Sequence, residues 1–258
     1  MLEAKLPYAS LLKKIVESLK DLVTDAQFEF SENGLQLQAM DSSHVSLCHL
    51  KLNVDAFGEF RCDKATTMGL SLMNLAKVLK CASNEDTLTM KHRDEDDTVS
   101  LLFENPGQDK IMDFNMKLIE IDQEQLNIPD TEYKCTIKIP ALEFKTIISD
   151  LLALGDTCTI SCSKEGVRFS VDGDVGKANI MLKPGQVANE NKKVQIEMDE
   201  PVELRFALRY LNLFSKATAL SGMVSLSMST DIPLLVKYDI EETGLLEFFL
   251  APKIDDEE

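Results

Sequence analysis

Lysine and arginine side chains share one side of three segments that have the apolar spacing of amphipathic helices. In segment 9–20, Leu12, Ile15 and Leu19 lie on one side of a wheel of about 100° per residue, opposite the lysines. Segments 71–80 and 208–217 repeat the arrangement. The basic residues of the three segments are Lys13, Lys14, Lys20, Lys77, Lys80, Arg209 and Lys216. Such groups on a helix face bind phosphate oxygens without reading bases, so the pattern predicts a surface for a phosphate backbone.

The net charge of the whole chain is −17 at pH 7. The three basic segments and a fourth helical segment, 141–152, together carry +5, so the remaining 214 residues carry −22. The fourth segment departs from the others, because Lys145 is offset by Glu143 and Asp150. An acidic chain with this distribution is expected to accept a polyanion in one place only. The alternative is an ordinary solvated helix face, since lysine and arginine are common on helices.

No residue pattern predicts catalysis. The chain has three histidines, no GxSxG, HExxH or HRD motif and no complete Walker sequence, and no enzymatic activity or cofactor is expected. Segment 173–177 has the wrong spacing for a phosphate loop and is interpreted as a turn. On a predicted strand His44 and Cys48 face one way and His49 the other, which disfavours a shared metal ion. The acidic run 94–97 is interpreted as a solvated loop tip.

Composition indicates a soluble globular protein of one large or two ordinary cores. Of the 258 residues, 44% are hydrophobic and 28% charged, and no apolar run approaches the ~18 to 20 residues of a membrane span. The first residues lack the basic and then apolar profile of a secretory signal. Six cysteines form no CxxC pair, so reduced thiols are expected instead of disulfides.

The chain contains an internal repeat. A shift of 132 residues superimposes the apolar positions of 9–20 on those of 141–152. A shift of 136 places Leu72 on Leu208, Leu75 on Leu211 and Lys80 on Lys216. This regularity predicts two copies of one module of roughly 120 to 130 residues, a usual domain size.

Each predicted module combines several strands with two helices. The dipeptide Asn33-Gly34 lies between alternating apolar residues and predicts a β-hairpin, and Glu165-Gly166 is its weaker counterpart. Alternating runs that predict further strands are 45–52, 66–72, 87–90, 99–103 and 111–118, with a similar series over 194–250. Because two helices cannot cover both faces of such sheets, we expect an α+β fold with both helices on one face.

A connector over 118–134 joins the predicted domains 1–117 and 135–258. It has neither helical nor strand periodicity, and it carries Leu126 and Ile128 between acidic flanks. An inert linker is one interpretation, and a segment that roofs a binding groove is the other.

Five stretches together resemble one family along the whole chain. They are MLEAKL at the start, AMDSSHVSL at 39–47, RCDKATTMGLSLMNLAKVLK at 61–80, RFALRYLNLFSKAT at 205–218 and FFLAPKIDDEE at the end. In order and spacing they resemble the proliferating cell nuclear antigen family of eukaryotic DNA sliding clamps. The resemblance implies two similar clamp domains per chain and a homotrimeric ring, with sheets outside and helices inside around duplex DNA. The seven basic residues named above would then face the DNA without sequence specificity. Ser149 stands where relatives commonly have a basic residue.

The resemblance also implies three sets of surface residues. The implied subunit interface pairs two edge strands of neighbouring subunits. One is the strand around Lys110, Met112 and Phe114, and the other is the strand around Gly176, Ala178 and Ile180 of the next subunit. The implied hydrophobic pocket for partner peptides comprises Met40, His44, Val45, Leu126, Ile128, Pro233, Phe249, Ala251 and Pro252. Phe249 departs from the tyrosine that relatives often have. Lys164 matches a lysine that relatives use for ubiquitin or SUMO conjugation.

Such a clamp would act in the nucleus. Its implied partners are the clamp loader, DNA polymerases, flap endonucleases, DNA ligases and ubiquitin or SUMO conjugation enzymes. No association with a membrane is expected. Two other functions stay open. One is a subunit of a heterotrimeric checkpoint clamp, which would share the fold and the basic helices. The other, more remote, is a metal-dependent phosphohydrolase, which would need acidic residues clustered at strand ends.

Overall fold

The computed structural model of the chain describes residues 1–105, 107, 109–122, 126, 128, 131–185 and 193–254. In that part of the chain it contains four α-helices and eighteen β-strands. The chain divides into two compact units. The first unit comprises Met1–Ser42, Cys48–Leu126 and Ile240–Leu246, and the second comprises Ser43–Leu47, Asn127–Asp239 and Glu247–Glu258.

The first unit contains two helices and two strand sets. Its helices are α1 (Ala9–Leu19) and α2 (Leu72–Leu79). The strands are β1 (Leu2–Leu6), β2 (Asp25–Ser31), β3 (Gly34–Met40), β4 (Ser46–Asn53, of which Cys48 onward belongs to this unit), β5 (Glu59–Cys62), β6 (Thr66–Ser71), β7 (Thr87–His92), β8 (Thr98–Glu104) and β9 (Ile111–Lys117). One set has the order β5-β1-β7-β8-β9 and the other β4-β3-β2-β6.

The second unit is built in the same way. Its helices are α3 (Ala141–Leu152) and α4 (Leu208–Phe214). The strands are β10 (Cys135–Pro140), β11 (Thr157–Ser163), β12 (Gly166–Gly173), β13 (Gly176–Leu182), β14 (Gln195–Met198), β15 (Val202–Ala207), β16 (Met223–Met228), β17 (Leu234–Ile240, of which Ile240 belongs to the first unit) and β18 (Gly244–Leu250, of which Glu247 onward belongs to the second unit). The two strand orders are β14-β10-β16-β17-β18 and β13-β12-β11-β15.

The internal repeat is visible as a repeated topology. Replacing β1 by β10 and β2 by β11, and so on through each unit, converts one pair of strand orders into the other. The backbone hydrogen bond made by the first residue of α1 also has an equivalent at the first residue of α3. The Ala9 N–H donates to the Asp86 carbonyl at 2.7 Å, and the Ala141 N–H donates to the Gly222 carbonyl at 2.9 Å. The strand pairs with a described register are antiparallel, so the predicted α+β class is confirmed.

Amphipathic spacing places each helix on its core. In α1 the buried residues include Leu12, Ile15, Val16 and Leu19, on one side of the helix. α1 packs against α2, and α3 packs against α4. The apolar sides of the helices are therefore used for packing, which leaves the lysine-bearing side of α1 away from the core.

The fourth helical segment is shorter than predicted. α4 ends at Phe214, and a 3-10 helix follows over Ser215–Ala219. The Ser215 hydroxyl donates to the Asn212 carbonyl at 2.8 Å, and the Thr218 hydroxyl donates to the Ser215 carbonyl at 2.6 Å. Side-chain hydroxyls that bond to nearby carbonyls compete with regular α-helical bonding, which accounts for the early end of α4.

The six cysteines are free thiols, and four of them lie in the cores. Burial raises the pKa of the Cys48 and Cys158 thiols to about 12. These two thiols are therefore protonated and unreactive at neutral pH. No described helix has the length and the apolar character that a membrane crossing requires.

We expect Gly34→Ala to lower the free energy of unfolding by about 2 to 5 kcal/mol. Gly34 has φ +117°, and a Cβ there would strike the Leu52 carbonyl oxygen on β4. Gly222→Ala is the matched control, because a Cβ at Gly222 meets no described atom within 4 Å. Urea denaturation followed by circular dichroism measures both variants. Equal denaturation midpoints would contradict the strained turn and the close approach of β4.

Candidate functional site

The lysines of α1 differ in how firmly their ammonium groups are held. Lys14 is exposed. Lys13 is half-buried and reaches the loop after α2, where its Nζ donates to the Ala82 carbonyl at 3.2 Å and to Asn84 Oδ1 at 3.5 Å. These two acceptors are neutral, so they orient the Lys13 charge without cancelling it.

Lys20, at the end of α1, is compensated by an acid of the same helix. Its Nζ lies 2.7 Å from Glu17 Oε2, and 16% of the Lys20 side chain is exposed. The hydrogen bond to Glu17 raises the pKa of the Lys20 ammonium. Lys20 therefore stays charged, but the neighbouring Glu17 carboxylate offsets part of its positive potential. A phosphate that approaches Lys20 must compete with Glu17.

The lysines of α2 are open to solvent. Lys77 and Lys80 are exposed, and the Lys77 Nζ donates to Asn74 Oδ1 at 3.3 Å. Lys77 lies in the last turn and Lys80 is the C-cap residue, where positive charge complements the helix dipole. Since α1 packs against α2, five of the seven predicted phosphate-binding residues lie on one packed pair of helices.

The two predicted phosphate-binding residues of the second unit lie on α4 and just after it. Arg209 is exposed, and its guanidinium carbon lies 4.7 Å from the Tyr210 ring centroid. The Arg209 Nη2 also donates to the Tyr210 hydroxyl at 3.2 Å. These contacts fix the orientation of the guanidinium plane. Lys216 lies in the 3-10 helix and is half-buried.

α3 presents a weaker cationic surface, as its sequence predicts. Lys145 is exposed, and so are Glu143, Ser149 and Asp150 of the same helix. The two carboxylates offset the single ammonium group, so α3 offers less attraction to a phosphate than α1 or α2.

β9 forms a free edge of the first unit. Among the described residues it pairs with β8 alone. Met112 and Phe114 are half-buried on one side of the strand, and the Phe114 ring packs edge-on against Phe103 with 5.9 Å between centroids. Lys110, which the resemblance groups with them, is exposed and lies just before the strand. The edge leaves backbone N–H and C=O groups that can pair with another strand.

β13 forms a corresponding edge in the second unit. In the described part of the chain it pairs with β12 alone. Gly176 begins the strand with φ +136° and is exposed, whereas Ala178 and Ile180 are half-buried on one side. Each unit thus presents one strand edge with alternating half-buried side chains.

The predicted pocket residues of the first unit are Met40 and Leu126. Met40 ends β3 and is half-buried. Leu126 is 43% exposed, while its backbone is bonded to the Gln38 side chain. The glutamine was not predicted from the sequence, since strand alternation indicates only that Gln38 lies on the face opposite the core.

Hydrogen bonds to backbone carbonyls order several pocket residues of the second unit. The Ala251 N–H donates to the Val45 carbonyl at 3.1 Å, and the Tyr133 hydroxyl donates to the Pro233 carbonyl at 3.3 Å. His44 is exposed and adopts φ +57° in a turn before β4. The prediction that His44 and Cys48 face one way on a strand is therefore wrong, since β4 begins only at Ser46.

The remaining predicted pocket residues also belong to the second unit. Ile128, Phe249 and Pro252 are half-buried, and Pro233 and Ala251 are exposed. Next to Phe249 in sequence, the Phe248 ring stacks on Phe214 with centroids 4.5 Å apart, inside the core. This alternation leaves Phe249 on the opposite side of β18 from the core.

Lys164 lies at the tip of the hairpin between β11 and β12 and is exposed. The neighbouring Glu165 N–H donates to the Ser163 hydroxyl at 3.3 Å, which orders the turn. The Lys164 side chain is therefore accessible from solvent. Among the described residues, no group of three or more histidine, cysteine or acidic side chains is arranged to hold a metal ion.

Comparison with protein-family models gives two adjoining matches. The model described as the proliferating cell nuclear antigen N-terminal domain matches residues 1–126. The model described as the C-terminal domain of the same antigen matches residues 127–253. The matches meet at the boundary that separates Leu126 of the first unit from Asn127 of the second. The chain therefore belongs to the proliferating cell nuclear antigen family and is a DNA sliding clamp of DNA replication and repair.

Proposed function

We propose that three copies of the chain close into a ring around duplex DNA, with the four helices of each copy lining the hole and the sheets outside. The observation that carries this proposal is the exposed cationic surface of α1, α2 and α4 on a chain of net charge −17. The DNA-facing residues are Lys13, Lys14, Lys20, Lys77, Lys80, Arg209 and Lys216. The ring would join domains 1–117 and 135–258 of each copy through the connector 118–134.

In the proposed ring, electrostatic attraction helps to hold the DNA without opposing movement of the clamp along it. Cations facing the hole attract phosphates at every base step equally, because phosphates carry no sequence information. The acidic remainder of the surface repels DNA that is not threaded through the ring, over a Debye length of about 8 to 10 Å. Water-mediated contacts cost little to exchange, so the ring slides while it stays linked to the duplex. The chain acts in this scheme as a tether and performs no chemistry itself.

We expect Lys14→Ala to weaken binding to a short duplex and to flatten its salt dependence. Each phosphate contact contributes a slope of about 0.9 in log affinity against log salt concentration, so losing one contact reduces the slope by about that amount. Lys20→Ala is expected to change the slope less, because Glu17 already compensates Lys20 at 2.7 Å. Fluorescence anisotropy across a potassium chloride series measures both slopes.

Lys91→Ala is the matched control for Lys14→Ala. Lys91 lies on β7 and forms an ion pair with Glu3 at 2.8 Å, so its removal is expected to leave the salt slope unchanged. A larger slope change for Lys91→Ala than for Lys14→Ala would contradict a helix-lined DNA channel.

Ring closure is proposed to use the two free edges. β9 of one copy, with Met112 and Phe114, would pair with β13 of the next, with Gly176, Ala178 and Ile180, and Lys110 would lie beside the contact. Such a head-to-tail contact is heterologous and closes after three steps. Backbone pairing satisfies both edges, and the half-buried side chains become fully buried.

We expect Ile180→Asp to convert the trimer to monomers, since a carboxylate would be buried at the edge of β13 without a partner. Ile254→Asp is the control, because Ile254 is 89% exposed beyond the last strand. Native mass spectrometry distinguishes three chains from one. A wild-type protein that is monomeric when purified alone would contradict the homotrimer.

The second proposed site binds short peptides of partner proteins. Its residues are Met40, His44, Val45, Leu126, Ile128, Pro233, Phe249, Ala251 and Pro252. An aromatic side chain that buries apolar area there gains about 25 cal/mol per Å², which gives partners enough affinity to bind and still exchange. By family, the partners are the clamp loader, DNA polymerases, flap endonucleases and DNA ligases, and the place of action is the nucleus.

Lys164 is proposed as the acceptor for ubiquitin or SUMO conjugation. Lys164→Arg keeps the charge of the turn, so we expect normal replication and loss of the conjugates formed after DNA damage. Lys138→Arg is the control at another exposed lysine of the second unit. Immunoblots of the protein from damaged cells measure the conjugates. Their persistence in Lys164→Arg cells would contradict the assignment.

A further inference from the structure

The beginning of the connector is bonded to the first unit at several described points. The Leu118 N–H donates to the Asp97 carbonyl at 2.8 Å, and the Ile119 N–H donates to the Gly69 carbonyl at 2.9 Å. At Ile121 and Leu126 the bonds come from side chains of the first unit instead of strand backbone. The connector is therefore not an independent linker along its described residues.

Two glutamines provide these side-chain bonds. Gln27 Nε2 donates to the Ile121 carbonyl at 2.6 Å. Gln38 Nε2 donates to the Leu126 carbonyl at 2.8 Å, and the Leu126 N–H donates to Gln38 Oε1 at 2.7 Å. Gln27 and Gln38 are direct partners in the β2–β3 register, so both lie at one place on the hairpin.

The position of the glutamines on the strands explains how they reach the connector. The neighbours of Gln38 in sequence, Leu37 and Ala39, are buried in the core. Side chains alternate along a strand, so Gln38 projects from the face opposite that core. A glutamine amide carries a donor and an acceptor in one plane, which lets it pair with the N–H and C=O of one residue as a strand backbone would.

This pairing fixes the backbone of Leu126 but not its side chain. Both backbone polar groups of Leu126 are bonded to Gln38, while the residue is still 43% exposed. A segment held in this way presents its apolar side chain without leaving backbone groups to be desolvated by a ligand. Ordering before binding reduces the entropy lost when a ligand binds.

We propose that Gln38 is a positioning residue that holds the connector at Leu126 in the conformation that receives partner peptides, with Gln27 anchoring Ile121 beside it. The inference rests on the proposed peptide-binding function. It adds that peptide affinity depends on a glutamine that acts through the connector backbone.

Three variants test the role. Gln38→Ala removes both bonds to Leu126. Gln38→Glu keeps the acceptor for the Leu126 N–H and removes the donor to the Leu126 carbonyl. Gln36→Ala is the matched control, because Gln36 is an exposed glutamine two residues away on the same strand and face.

Two measurements separate positioning from a general loss of structure. Hydrogen exchange at the Leu126 amide reports the bond itself, and calorimetry reports the affinity for a synthetic clamp-binding peptide with an aromatic plug. For Gln38→Ala we expect at least tenfold faster exchange and about tenfold weaker peptide binding, with an unchanged thermal midpoint. Gln38→Glu is expected to lie between Gln38→Ala and wild type, and Gln36→Ala is expected to match wild type.

Unchanged exchange at Leu126 in Gln38→Ala would overturn the proposal, and so would faster exchange with unchanged peptide affinity. Failure of the wild-type protein to bind the peptide would instead contradict the proposed peptide site. The exchange rates would then still show whether Gln38 holds Leu126, so the two failures are distinguishable.

Discussion

The uneven distribution of charge is the constraint on which the function of this chain depends. With a net charge of −17, the protein as a whole repels a phosphate backbone. Attraction comes from cations held away from the core on helices whose apolar sides are packed. The proposed ring places those helices around the duplex, so that attraction acts only on threaded DNA. Neutral partners such as Asn84 and Asn74 orient lysines without reducing their charge, whereas Glu17 moderates Lys20.

The repeat gives each unit the same construction and lets one topology serve different purposes. In the first unit the segment after β9 bonds to the backbone of Gly69 on β6. In the second, the segment after β18 bonds through the Lys253 N–H to the carbonyl of Arg205 on β15, at 2.7 Å. The two segments are topological equivalents. One continues into the connector that the glutamines hold, and the other carries Ala251 and Pro252 of the proposed peptide site.

Much of the fold could be predicted from the sequence wherever a single periodicity of apolar residues determines the secondary structure. The segments 9–20, 71–80 and 141–152 correspond to α1, α2 and α3 because their apolar residues fall on one side of a helix. β1 was missed, although Leu2, Ala4 and Leu6 alternate into the core, because a short strand at the chain start has little context. The end of α4 was placed too late, since hydroxyl bonds within 212–218 leave no mark on apolar spacing.

The sites were predictable to a smaller extent. Periodicity indicates which side of α1 bears lysines, but the ion pair of Lys20 with Glu17 depends on rotamers. The Gln38 bonds to Leu126 join positions 88 residues apart, and glutamine has no motif that would indicate such a contact. Residues 123–125, 127, 129 and 130 of the predicted connector, and 255–258 of the tail that supported the resemblance, lie outside the described residues.

Topological retention is the direct measure of a closed ring with a cationic lining. The purified protein is allowed to thread onto a linear duplex, both ends are blocked with bulky proteins, and the salt concentration is then raised to screen phosphate contacts. A ring stays on the blocked duplex and leaves within the sliding time once a nuclease frees one end. Equal loss from blocked and open duplexes at high salt would contradict encirclement of DNA by this chain.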